Sequence, residues 1–84
     1  MSKLITSSQI KGARAMIGLT VRALADQSDI AFSTLVRLES AHDEIPPSNV
    51  ETLKKLIKTF EALGIEFIGS PDDGPGVRLR KVKS

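Results

Sequence analysis

Residues 20–40 read TVRALADQSDIAFSTLVRLES, and the spacing of their apolar positions decides the fold. Thr20 is an N-cap candidate opening a helix of about two turns, with Val21, Leu24 and Ala25 on its inward face. Asp29, Ile30 and Ala31 break the period. It resumes with Leu35 and Leu38 at helical spacing, leaving Phe32, Ser33, Thr34 and Arg37 to face outward or sideways. The reading is two short helices joined by a tight turn. Ala25 is the small residue where they approach most closely, and Leu24, Ile30, Leu35 and Leu38 can pack the pair onto flanking elements. Helices this short do not persist alone in water, so the flanks must supply a core.

Working outward, Thr6-Ser7-Ser8-Gln9 matches a capping box, with Ile5 and Ile10 placed for a hydrophobic staple. Ile10, Ala13 and Ile17 continue an apolar face, and Gly18 offers a left-handed stop. On the other side, AHDEIPP (41–47) reads as a loop. Ser48-Asn49-Val50-Glu51 is a second capping box, opening a segment with Val50, Leu53, Leu56, Ile57, Phe60 and Leu63 on one face. Lys54, Lys55, Lys58 and Glu61 lie on another face, a pattern that helix surfaces commonly carry for solubility, and Gly64 ends the segment. Residues 65–68 and 77–80 alternate around the turn-rich GSPDDGPG (69–76), which suggests a C-terminal β-hairpin. The expected fold is mainly α: four short helices plus that hairpin.

With 84 residues and 40% hydrophobic content, the chain supports one small core and not a two-domain enzyme. It has no cysteine and a single histidine, His42, so neither a protein-built zinc site nor an ordinary His-paired nucleophile is available. No enzymatic activity, metal or cofactor is expected. His42, in a charged loop beside Asp43, reads as a solvated residue or a phosphate contact. No apolar run approaches the ~18 residues that span a bilayer, and the first residues lack the pattern of a signal peptide, so a cytoplasmic protein without a membrane partner is expected. Net charge is +2. Residues 1–45 balance five cations (Lys3, Lys11, Arg14, Arg22, Arg37) against five acids, whereas residues 78–84 carry Arg78, Arg80, Lys81 and Lys83 with no acid.

Over about residues 6–64 the sequence resembles the Cro/cI-like (lambda-repressor-like) regulators, the XRE family of helix-turn-helix DNA-binding proteins. The resemblance rests on ARAMIGLT (13–20), LADQSDIAFSTLVRLES (24–40) and a capped fourth helix ending ALGIEF (62–67). GIEFI followed by GPGVRLR is similar to the tail of short, stand-alone bacterial members. The resemblance implies that residues 31–39 form a recognition helix for the major groove, with Phe32, Ser33 and Arg37 reaching base edges. It implies phosphate contacts from Thr20, Thr34 and Arg22, and from the backbone N–H groups of Ser40 and Ala41. Arg14 and Glu39 match a structural pair tying the first helix to the end of the recognition helix. The chain departs from the family pattern at Val21, where a backbone-contacting glutamine is usual, at Asp29 in place of the turn glycine, and at Ala31 in place of a hydroxyl cap.

Arg37 suits base readout because a guanidinium can bond both O6 and N7 of one guanine. Phe32 has two readings, contact with a thymine methyl or retreat into the core. The resulting expectation is a sequence-specific double-stranded-DNA-binding transcriptional regulator, repressor or activator, acting as a homodimer. Residues 1–64 would form the DNA-binding domain and residues 65–84 the hairpin and basic tail, a candidate dimerisation element because its edges are unpaired. Val21, Ala31 and Phe32 are less polar than a DNA face requires, which motivates an alternative: a protein-interaction module or antitoxin-like protein that binds a protein partner.

Overall fold

The computed structural model describes residues 5–40, 50–70 and 73–80. The order is α1 (Ser7–Met16), α2 (Val21–Ser28), α3 (Phe32–Glu39), α4 (Val50–Ala62), β1 (Ile65–Ser70) and β2 (Asp73–Leu79). Lys3, Ala41, His42, Asp43, Pro46, Pro47, the Ser48 and Asn49 cap, Pro71, Asp72, Lys81 and Lys83 lie outside the described residues.

Local chemistry sets each boundary. The Thr6 hydroxyl accepts from the Gln9 N–H at 3.2 Å while the Gln9 carboxamide oxygen accepts from the Thr6 N–H at 2.8 Å, closing the capping box. Ile5 and Ile10, on either side of it, are both fully buried. At its other end α1 closes with the Gly18 N–H donating to Ala15 and the Leu19 N–H to Arg14, and Gly18 takes φ +65°. These are the paired bonds of a Schellman motif. Helix α2 starts with the Thr20 hydroxyl accepting from the Ala23 N–H at 3.0 Å. It stops at Asp29, which takes the left-handed conformation (φ 59°, ψ 37°) usually left to glycine. The turn to α3 is thus three residues long.

The hairpin packs one face on the helices, β2 against α1 and β1 against α4. Ile65 and Phe67 join Ile5, Ile10, Ala13, Leu24, Ile30, Leu35, Leu38, Leu53, Leu56, Ile57 and Phe60 in a single core cluster. The Phe60 and Phe67 rings meet edge to face at 5.8 Å. One carboxamide couples α1 to both strands: the Gln9 Nε2 donates to the carbonyls of Ile68 (3.3 Å) and Gly76 (2.9 Å).

Two expectations require correction. Val50, assigned to the apolar face of α4, is 47% exposed, because it occupies the first turn, above the level where Leu53 and Leu56 enter the core. The strands also run further than the alternating segments, into the turn-rich stretch, with Ser70 opposite Asp73. A register shift between Ile68 and Ser70 absorbs the irregularity, and Gly69 there adopts φ +73°, the conformation a bulge of this kind needs.

Candidate nucleic-acid interface

Helix α3 is anchored by its inner face. Leu35 and Leu38 are fully buried. Burial of such a side chain contributes about 1.5–3 kcal/mol, which outweighs the roughly 1 kcal/mol forgone at the uncapped start. That start is Ala31, which provides no side-chain cap. The far end is held by Arg14, whose Nε and Nη2 bond Glu39 at 2.9–3.3 Å and whose Nη1 donates to the Leu19 carbonyl at 3.1 Å. Glu39 is buried, so this fork fixes α3 against the end of α1.

With the inner face fixed, Phe32, Ser33, Val36, Arg37 and Ser40 are exposed along one stripe, at helical spacings of one and four residues. Phe32 is 43% exposed, so it does not retreat into the core. It is not bare: the Arg22 guanidinium carbon lies 4.8 Å from its ring centroid, a cation–π contact joining the first turns of α2 and α3. Thr34 is half-buried at the edge of the stripe. Thr20 is exposed, and as an N-cap it uses a lone pair while keeping its O–H to donate. Ser40 is differently engaged: its N–H donates to the Arg37 carbonyl at 3.2 Å and its hydroxyl to the Val36 carbonyl at 2.8 Å.

Val36, 44% exposed beside Arg37, is the residue that sequence reasoning passed over. Its signal was present, since it stands four residues from Phe32 and one from Leu35, which turns it away from the core. Around the stripe the charges are mixed. Arg22 and Arg37 are exposed, as are Asp26 and Asp29, and Lys55 approaches Asp29 at 4.0 Å. Arg78 in β2 and Arg80 just after it are occupied elsewhere: both reach Glu66, at 2.9 and 3.4 Å. Among the described residues there is no cluster of His, Asp or Glu that could hold a metal ion, and no helix long and apolar enough to cross a membrane.

Neither a protein-family model nor a curated protein matches the chain.

Proposed function

We propose that α2 and α3 form a helix-turn-helix, and that the protein binds double-stranded DNA sequence-specifically as a cytoplasmic transcriptional regulator without catalytic activity. The observation that carries this reading is the α3 stripe: Ser33 and Arg37 stand exposed on a helix whose opposite face is locked into the core. Such a helix can enter the major groove as a rigid element, and Arg37 can bond one guanine bidentately. Thr20 and Arg22, at the positive N-terminal end of α2, are suited to phosphate. Thr34 stands at the edge of the stripe for a further phosphate contact. A phosphate contact from Ser40 would compete with the bonds its N–H and hydroxyl already make to α3 carbonyls.

One recognition helix covers few base pairs, so the regulator acts as a two-fold homodimer on half-sites about 34 Å apart. The hairpin is the proposed dimer element. Its support is the exposure of Ile68 and Leu79, at 37% and 48%. Selection from a randomised duplex pool near physiological salt tests the whole reading. Enrichment of a two-fold-related site that Arg37→Ala relaxes at one guanine supports it, with affinity falling steeply as salt rises.

A second reading is favoured by one observation, the exposed apolar pair Phe32 and Val36. A helix-turn-helix used to bind a protein partner, as in an antitoxin, would bury that pair. Its binding would respond little to salt, and no duplex would be enriched.

A further inference from the structure

Phe32 and Val36 lie one helical turn apart on the exposed stripe of α3, 43% and 44% exposed, with Arg22 stacked over Phe32 and Arg37 following Val36 in the chain. Two exposed apolar side chains accompanied by two arginines match a polyanion that carries small apolar groups. The major groove is such a surface. It is lined by phosphates, and the apolar group its base edges present is the C5-methyl of thymine. Four residues of helix rise about 6 Å, which is about two base-pair steps. From this we infer that α3 reads pyrimidine 5-methyl groups: Val36 and Phe32 each cover one, beside the guanine taken by Arg37.

The inference rests on the DNA-binding reading and sharpens it. It assigns specificity to a residue with no hydrogen-bonding side chain, and it distinguishes recognition of the methyl from recognition of the thymine O4. A methyl reader accepts 5-methylcytosine where it accepts thymine. An O4 reader accepts uracil instead.

The test uses the full chain on the duplex enriched from the randomised pool. At each pyrimidine adjoining the Arg37-dependent guanine, thymine, uracil, cytosine and 5-methylcytosine are compared by fluorescence anisotropy at one salt concentration. The expected order is thymine and 5-methylcytosine alike, with uracil and cytosine weaker by about fourfold for each methyl lost. Val36→Ala, at an exposed position and checked for unchanged thermal unfolding, should erase the difference at one pyrimidine while the guanine preference stays. Equal affinity for thymine and uracil at every such position overturns the inference and leaves the DNA-binding reading standing. If no duplex is enriched, the DNA-binding reading falls and this inference falls with it.

Discussion

Gly12 sits inside α1, where glycine is about 1 kcal/mol worse than alanine. A Cβ there would meet the Val77 Cγ2 at 3.5 Å, an ordinary van der Waals contact, so nothing in the packing of β2 on α1 requires its absence. Gly12→Ala should therefore stabilise the protein by about 0.5–1 kcal/mol and raise the midpoint of thermal unfolding by several degrees. A lower midpoint would show that the sheet cannot accept the methyl. Gly69 has the opposite character: at φ +73° any side chain is strained, and a Cβ would run into the Gly74 carbonyl oxygen. Single residues also mark where reading the sequence stops. That Asp29 would fill the left-handed turn, and that Arg14 and Glu39 would pair, followed from residue type and from the resemblance. That Arg22 would lie on Phe32 did not, because the two are ten positions apart and meet only when α2 packs on α3.

Elements whose ends are fixed by neighbours in sequence were legible. The Thr6 box, the Gly18 stop, the Thr20 cap and the Asp29 break all operate within six residues, the range over which side-chain chemistry acts on its own backbone. The hairpin was legible as alternation but not in extent, since glycines carry no pattern: Gly76 pairs with Ile68, and the bulge at Gly69 carries the pairing on to Ser70 and Asp73. Helix α3 stands between these cases. Its start at Ala31 is exposed and uncapped, with ψ 139° already in the extended range that an N-cap adopts. Ala31→Ser should add a hydroxyl acceptor for the free N–H groups of the first turn and stabilise the protein by about 0.5–1 kcal/mol. The check is the urea midpoint, which should rise with no change in the slope of the transition. An unchanged midpoint would mean that those N–H groups are already satisfied.

At the scale of the molecule, two polar joints hold the helices and hairpin in one arrangement. The first is the Arg14 fork, which bonds α3 through Glu39 and the turn before α2 through Leu19. Arg14→Met alone leaves the Glu39 carboxylate buried without its partner. With Arg14 itself only a quarter exposed, the loss should be about 2–3 kcal/mol. The double variant Arg14→Met, Glu39→Leu should recover most of it, because neither charge remains to be solvated. A double variant as unstable as the sum of the singles would instead make packing, not charge, the function of the fork. The second joint is Gln9, whose amide completes the first turn of α1 with its oxygen and grips both strands with its nitrogen, across 59 and 67 residues of sequence. Opening either partner abandons the other. In native-state hydrogen exchange, the amides of Thr6 and Gln9 should therefore open with the same free energy as those of the hairpin, and Gln9→Leu should split them into two units. The same joint bears on the order of synthesis. Helix α1 emerges from the ribosome before the hairpin, yet the Gln9 amide gains its partner on β2 only after 67 further residues are made, so α1 waits for that anchor while the intervening helices are synthesised.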